Sequence, residues 1–364
     1  MSKGWQRKKL GEVCTIDKAQ GIHRGLPYIG LEHIESNTAR FIGIPDPQSV
    51  KSTTFRFTQE HVLYGRLRPY LNKAHLPSFV GHCSTEIYPL KPGRELTREY
   101  LLRWLLSEST CMLINKTCRG ARMPRAKMGE LMKFEIPVPP LQEQRRIIKL
   151  LEEAFAGIDK AKENAEQNLR NARALLESHL KSVFTNHGPG WVETRLGELC
   201  VVDWGNTALT KRAYVKDGEY LAVSAAGCDG RIGHKEHAKH TPVLSAIGAQ
   251  CGRMFLPDEE FTAIKNTITL TPRHGKCTGK FLYRLLTHVQ LPKRGAAQPF
   301  ISKGDIQAFK VSVPGLLSDQ HELEKAVSDI EERTRDLERN YEKRIGCLDG
   351  LKKSILHEAF SGNL

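Results

Sequence analysis

The chain carries one framework twice. Trp5, Leu10, Gly11, Glu12, Cys14 and Asp17 return as Trp191, Leu196, Gly197, Glu198, Cys200 and Asp203, all at an offset of 186 in a chain of 364 residues. Solenoid units run to roughly 20 to 50 residues, so a period of half the chain describes two whole domains of one ancestry, and a bipartite function. The match continues with small shifts in offset, as loops of unequal length allow. Val62-Leu63 answers to Val243-Leu244, and Tyr100-Leu101-Leu102-Arg103 to Phe281-Leu282-Tyr283-Arg284. Later, Gly120-Ala121, Pro124, Gly129-Glu130-Leu131, Phe134 and Val138-Pro139 pair with Gly295-Ala296, Pro299, Gly304-Asp305-Ile306, Phe309 and Val313-Pro314. Gln20 to Gln59 and Asn206 to Thr241 share little. Either drift has erased the similarity there, or one task is performed on two different targets.

The net charge of +14 is unevenly spread. Residues 1–140 hold 22 Lys/Arg against 12 Asp/Glu, and 185–316 hold 17 against 11, whereas 141–184 hold 8 against 7 and 317–360 hold 8 against 11. Basicity therefore belongs to the globular halves, as it should if they face a polyanion while the intervening segments face protein. Solubility or membrane attraction would also produce a basic surface. No stretch approaches the roughly 18 apolar residues of a membrane span, and Met1 to Gly11 is too polar for a signal peptide, so the expected compartment is the cytoplasm. Nine cysteines without a Cys-x-x-Cys pair point to reduced structural thiols rather than disulfides or zinc.

Each half runs into a proline-free segment with heptad spacing: Ile147, Leu151, Ala154, Ile158, Ala161, Ala165, Asn168, Ala172 and Leu175 in the first, and Leu323, Val327, Ile330, Thr334, Leu337, Tyr341, Arg344, Leu348, Leu351 and Ile355 in the second. Pro137, Pro139 and Pro140 stop the preceding strand and permit a helix start, and Asn186 to Gly190 breaks the first helix. At roughly 1.5 Å per residue each helix is about 65 Å long, more than a domain needs for its own core. Antiparallel pairing would close the molecule into a pseudo-twofold dumbbell; the alternative is that each helix packs on its own domain. Short alternating runs at His61–Leu67, Ser84–Leu90 and Thr267–Leu270, with helices at Thr97–Ser107 and Gly279–Thr287, make the halves α+β. The expected organisation is a first recognition domain at 1–140, a spacer helix at 141–188, a second recognition domain at 189–316 and a C-terminal spacer helix at 317–364.

Two copies of a domain opening in Trp-x-x-x-x-Leu-Gly-Glu and closing in Pro-x-Pro, followed by Pro139-Pro140-Leu141-Gln142-Glu143-Gln144-Arg145-Arg146-Ile147-Ile148, resemble the specificity (S) subunit of Type I restriction-modification enzymes. The helix ends Leu180-Lys181-Ser182-Val183-Phe184 and Lys352-Lys353-Ser354-Ile355-Leu356 strengthen the resemblance, which covers essentially the whole chain. The second helix start, Pro314-Gly315-Leu316-Leu317-Ser318-Asp319-Gln320, departs from it by losing a proline and the Glu. The resemblance implies a non-catalytic reader of double-stranded DNA, with two target-recognition domains on the halves of a split asymmetric site. It also implies an antiparallel coiled coil that sets the gap and docks two methyltransferase (M) subunits, with restriction (R) subunits joining the complex. S-adenosylmethionine, ATP and Mg would then belong to the partners and no cofactor to this chain. In keeping with this, the sequence has no phosphate-cradling Gly-rich loop followed by Lys-Ser/Thr, no Asn-Pro-Pro-Tyr-like tetrapeptide and no nuclease-like Asp plus Glu-x-Lys arrangement.

Phosphates are met by Lys, Arg and backbone amides, and base edges by Arg, Lys, Asn and Gln. The strongest DNA candidates lie in the matched loop before Pro-x-Pro: Lys116, Arg119, Arg122, Arg125 and Lys127 in the first half, Lys293, Arg294, Gln298 and Lys303 in the second. Gly120 and Gly295 would let the backbone approach the duplex. Arg66, Arg68, Tyr70, Asn72 and Lys73 form a further set opposite Gln250 and Arg253, with Arg66-Leu67-Arg68 reading as alternating strand positions on one face. Lys211 and Arg212 lie in the most divergent insert. His23, His33, His61, His75 and His82 lack metal spacing and read as structural, and Trp5 and Trp191 read as buried anchors. Two other classes stay open: a coiled-coil scaffold joining two peptide-binding domains, and a nuclease with a hidden site.

Overall fold

The computed structural model describes residues 5–47, 50–118 and 122–364. The chain forms two compact units, Met1–Glu166 with Glu342–Leu364, and Gln167–Tyr341.

In the first unit the opening strand Gln6–Lys9 pairs antiparallel with the closing strand Glu135–Val138, so the chain leaves the domain beside the point where it began. A single helical turn, Leu10–Val13, then buries Leu10 and Val13. The amide of Gly11 donates to the Met132 carbonyl at 2.8 Å, and a side chain on residue 11 would bring its Cβ to 3.1 Å from that oxygen. The glycine of Leu-Gly-Glu is thus favoured by close backbone contact. The second unit repeats the device: Trp191–Arg195 pairs with Lys310–Pro314, and a Cβ at Gly197 would lie 3.2 Å from the Gln307 carbonyl.

Each unit then builds a four-stranded antiparallel sheet of the same order. It runs Cys14–Ile16, Ile87–Pro92, Val62–Gly65, Ala74–His75 in the first unit and Cys200–Trp204, Thr267–Pro272, Val243–Ser245, Met254–Phe255 in the second. The register is conserved between the copies, with Cys14 opposite Pro92 and Cys200 opposite Pro272. Cys14 and Cys200 are buried, and desolvation pushes both thiols up to about 12, so they remain protonated packing groups. The divergent inserts form a second sheet of different size in each unit: Gln20–Gly21, Thr54–Phe57, Gly81–Cys83 and Tyr28–Ile29, against Gly227–Ile232, Tyr220–Ser224 and Phe261–Ala263. Helix Arg98–Leu106 is capped by Thr97, whose hydroxyl accepts from the Tyr100 amide at 3.3 Å, and helix Gly279–His288 by Thr278, which accepts from Phe281 at 3.1 Å. Their apolar faces, Tyr100, Leu101 and Leu105 or Phe281, Leu282 and Leu285, are fully or almost fully buried.

Two strands differ from expectation, and the one foreseen over Ser84–Leu90 starts only at Ile87. The strand foreseen over His61–Leu67 ends at Gly65, so Arg66, Leu67 and Arg68 do not alternate along a strand. Arg68 takes a left-handed conformation (φ 50°) at the head of the 3-10 turn Pro69–Leu71. Pro69 cannot donate to a ladder, and the segment hydrogen-bonds instead to a loop described below.

The long helices run Leu141–Thr185 and Leu317–Ser361. In the first unit they pair antiparallel: Asp159 meets Lys352 and Lys162 meets Asp349, each at 2.8 Å, and Arg146 donates to the Leu364 carbonyl at 2.7 Å. Ile147, Leu151, Phe155, Ile158, Leu356 and Ala359 belong to the core of that unit, so the helices pack both on each other and on the domain. In the second unit Arg173 meets Glu338 at 2.9 Å, and Phe184 and Leu323 join the domain core. The heptad seam holds from Ile147 to Ala165 and from Leu323 to Thr334, and elsewhere slips by one residue at alternate positions. Leu175 is 72% exposed while Leu176 is half-buried, and Leu337 and Leu351 are exposed while Glu338 and Lys352 take the inward positions. The long stems of Glu338 and Lys352 can lie along the seam with their charged ends paired across it, which hydrophobicity alone does not reveal.

The helix starts are anchored by buried glutamines. Gln144 accepts from the Thr97 amide at 2.9 Å and donates to the carbonyls of Glu95 and Pro139, both at 2.8 Å. Gln320 donates to the carbonyls of Lys276 (3.1 Å) and Pro314 (3.2 Å). The Gln of Pro-Leu-x-Glu-Gln therefore ties the helix to the loop before the domain helix, and it survives where the second copy loses the Glu. Replacing Gln144 by Ala strands an amide and two carbonyls, each costing about 1–3 kcal/mol when unsatisfied. We expect a loss of about 2–4 kcal/mol in the first urea-unfolding transition of the full chain, against no shift for Gln142→Ala at an exposed neighbouring position.

Candidate nucleic-acid interface

The backbone joins two sets of residues that are far apart in sequence. In the first unit the Arg68 amide donates to the Pro124 carbonyl at 2.7 Å and the Ala126 amide to the Arg66 carbonyl at 2.8 Å, with Leu67 bridged to Arg125. In the second unit Gly248 donates to Pro299 at 2.9 Å and Ile301 to Ala246 at 2.8 Å, with Ile247 bridged to Phe300. The loop before the closing strand thus lies against the segment after the third framework strand in both copies. Arg66, Leu67, Arg68 and Arg125 occupy the places of Ala246, Ile247, Gly248 and Phe300. Gly248 has φ 99° where Arg68 has φ 50°, so the left-handed position is itself part of the shared frame.

In the first unit, Arg125 grips Glu86 through Nε at 2.9 and 3.1 Å and through Nη2 at 2.8 Å. Arg66 Nε lies 3.4 Å from the same carboxylate, its Nη1 donates to the Tyr88 hydroxyl at 2.7 Å, and its guanidinium sits 5.4 Å from the Tyr88 ring centre. Arg68, Lys116 and Arg122 are exposed, and Lys127 is half-buried at the head of the short helix Met128–Leu131. Arg119 and Gly120 lie outside the described residues. Lys73 donates to the Leu31 carbonyl at 2.7 Å and Asn72 to the Leu106 carbonyl at 3.0 Å, so both serve the fold; Tyr70 is 54% exposed.

In the second unit, Lys293, Arg294 and Gln298 are exposed on a hairpin closed by reciprocal bonds between Arg294 and Phe300 at 2.9 and 2.8 Å. Gly295 (φ 80°) is needed by that turn, since a Cβ there would lie 2.7 Å from the Gln298 carbonyl; its role is internal to the loop rather than an opening for a duplex. Arg294 is paired with Asp305, and Lys303 with Asp203 at 2.9 Å. The Ser302 hydroxyl holds the Asp305 carboxyl below its usual range, and Lys303 does the same for Asp203, so both acids stay ionised at neutral pH. Arg253 is exposed, stacks 5.5 Å from the Phe255 ring centre and donates to Gln250 at 3.3 Å. Lys211 pairs with Asp229 at 2.5 Å, and Tyr214 and Ser224 donate to the same carboxylate at 2.7 and 2.9 Å. Burial pushes the Asp229 carboxyl up, but these bonds outweigh it and hold it below the carboxylate range. Arg212 is exposed beside Lys211.

The histidines serve the fold. His61 is buried, accepts from the Thr58 amide at 3.0 Å and faces Asp17 at 3.3 Å; His82 is buried 2.9 Å from the Thr54 hydroxyl; His33 accepts from Gly30 at 3.1 Å. His75 lies 2.9 Å from the Ala39 carbonyl, and His23 is in ring contact with His82. Trp5 and Trp191 are half-buried against their cores, Trp191 stacked on His187. Among the described residues no helix is long and apolar enough to cross a membrane. Sequence reasoning missed Glu86 and Phe300. Glu86 is a single acid in a basic half, and Phe300 reads as core; the signal for both was alignment with the other half, where the residue types differ.

A profile of the family described as Type I restriction modification DNA specificity domain matches the chain twice, over residues 2–168 and 189–345. A relative from Escherichia coli, the Type I restriction enzyme EcoDI specificity subunit, is 27% identical over 183 residues, covering 50% of this chain and 41% of that protein. The match thus covers about two fifths of that relative's length. Among solved structures, a chain from work on complex assembly and conformational transition of the type I R-M system has a TM-score of 0.81 at 22% identity, covering 100% of this chain and 99% of that one. The HsdS subunit from Thermoanaerobacter tengcongensis gives 0.70 at 20% identity, covering 100% and 98%. Sharing two copies of the family's domain and the fold of its solved members, the chain belongs to the Type I restriction-modification DNA specificity family.

Proposed function

We propose that this chain is the non-catalytic DNA-reading subunit of a Type I restriction-modification complex, each recognition domain reading one half of a split asymmetric site. Residues 1–140 and 189–316 are the readers; 141–188 and 317–364 hold the gap between half-sites and dock two M subunits, with R subunits joining through them. Methyl transfer with S-adenosylmethionine, and ATP- and Mg-dependent work, fall to those partners. Exposed Leu175, Leu337 and Leu351 leave apolar positions on the helices that a protein partner would cover.

One observation carries this reading. Both units build the same backbone junction between a basic loop and the segment after the third framework strand, and fill it with different side chains. A conserved platform with variable chemistry is what two readers of unlike sequences need. Lys116, Arg119, Arg122 and Lys127 are proposed as contacts of the first reader, together with Arg66, Arg68 and Arg125. Lys293, Arg294, Gln298, Lys303 and Arg253 are proposed for the second, with Lys211 and Arg212 in its insert; Lys73 is proposed as a phosphate contact of the first through the ammonium protons that its bond to the Leu31 carbonyl leaves over.

A reader that neutralises 6–10 phosphates should lose about 10³- to 10⁵-fold in affinity between about 50 and 200 mM salt. Titration of the full chain with duplex DNA checks this, and a salt-independent affinity would favour a protein scaffold instead. Sequencing DNA retained by the variant Lys116→Ala/Arg122→Ala should show one half of the recovered motif retained roughly tenfold less selectively, with the other half unchanged. Equal degradation of both halves would contradict a separate reader in each unit.

A further inference from the structure

We infer that Glu86 is a positioning residue for base recognition, holding Arg66 and Arg125 as a rigid pair that reads guanine in the half-site of the first domain. The inference rests on the DNA-reading function proposed above. The geometry is a carboxylate clamp on Arg125: both Glu86 oxygens accept from its Nε and one lies 2.8 Å from Nη2, while Arg66 Nε, 3.4 Å from the same carboxylate, adds an ion pair without a hydrogen bond. Arg66 is fixed on its other side by the Tyr88 hydroxyl and ring. The side chains of Arg66, Glu86 and Arg125 keep 29%, 25% and 37% exposure, so the cluster is seated in the surface yet still reaches solvent. Two guanidiniums and one carboxylate leave it net positive.

The second unit supplies an internal control. Its counterpart of Glu86 is Asn266, because the Ala246 amide donates to the Asn266 carbonyl at 2.9 Å as the Arg66 amide donates to Glu86 at 2.8 Å. Ala246, Asn266 and Phe300 therefore stand where Arg66, Glu86 and Arg125 stand, and the same backbone bonds form without any charge. The fold does not require the triad. Half-exposed ion pairs also contribute little stability, which leaves function as the reason to assemble one. Arginine presents a planar fork that matches the O6 and N7 edge of guanine in the major groove. Glu86 takes the Nε and Nη2 side of Arg125, so the fork left for a base is the end-on pair on Nη1 and Nη2, and locking it beforehand removes rotamer entropy that would otherwise be lost on binding. The prediction for the second domain is the converse: no arginine-guanine contact arises from this position, where the half-exposed Phe300 ring offers only apolar contact.

The test is sequencing of duplex DNA retained from a random library by the full chain, alongside its thermal midpoint. Glu86→Gln keeps the shape and removes the charge, and Arg125→Lys keeps the charge and removes the fork. Both are expected to relax preference for guanine at the same one or two positions of a single half-site by about tenfold or more. The other half-site, the salt dependence and the thermal midpoint should barely change. Uniform weakening on all sequences, or a lowered thermal midpoint with an intact motif, would show a structural ion-pair cluster and overturn the inference. If the unaltered chain selects no bipartite motif, the functional reading itself fails; if it does and the variants select the same motif, only the role of Glu86 falls.

Discussion

Everything in each unit depends on the antiparallel closure of its first strand onto its last. Gln6–Lys9 on Glu135–Val138, and Trp191–Arg195 on Lys310–Pro314, bring the beginning and end of a long, loop-rich excursion together. The Leu-Gly step then packs backbone against backbone, and the buried glutamine at the helix start fastens the helix to the same corner. With the corner closed, inserts can vary in length and content without moving the frame, since loop length costs little once the ends are held. That is how the copies share a sheet order and register while their second sheets differ.

The consequence for function is a separation of frame from content. Backbone bonds to Pro124 in one unit and Pro299 in the other set where a variable surface stands, and the side chains there are free to differ. In one copy the surface carries an arginine pair held by a carboxylate; in the other it carries an aromatic ring with Lys293, Arg294 and Gln298 nearby in the chain. Many of the lysines and arginines are already paired with acids, so positive charge at such a surface is more selective than the net charge of the chain suggests.

Much of this was legible in the sequence, and the limits have physical causes. The repeat, both long helices, the domain helices and the closing strands follow from periodicity and prolines. The helix seam was legible from Ile147 to Ala165 and from Leu323 to Thr334, and misread at Leu175, Leu337 and Leu351, where the neighbouring Leu176, Glu338 and Lys352 are the less exposed, the last two with their charges paired. The candidate surface was legible as two lists but not as one surface. What unites Arg66 with Arg125 is a long-range backbone junction and an acid 20 residues from one and 39 from the other, which no local pattern encodes. Lys73 and Asn72 read as DNA contacts by residue type alone, and that type did not reveal the carbonyls of Leu31 and Leu106 that the fold brings to them.

The central claim is that each copy of the frame engages its own stretch of duplex. Hydroxyl-radical footprinting of the full chain on a DNA fragment that it selects tests this most directly. The account predicts two protected tracts separated by an accessible gap, disappearing together as salt is raised. One continuous protected tract, or protection confined to a single short site, would contradict it.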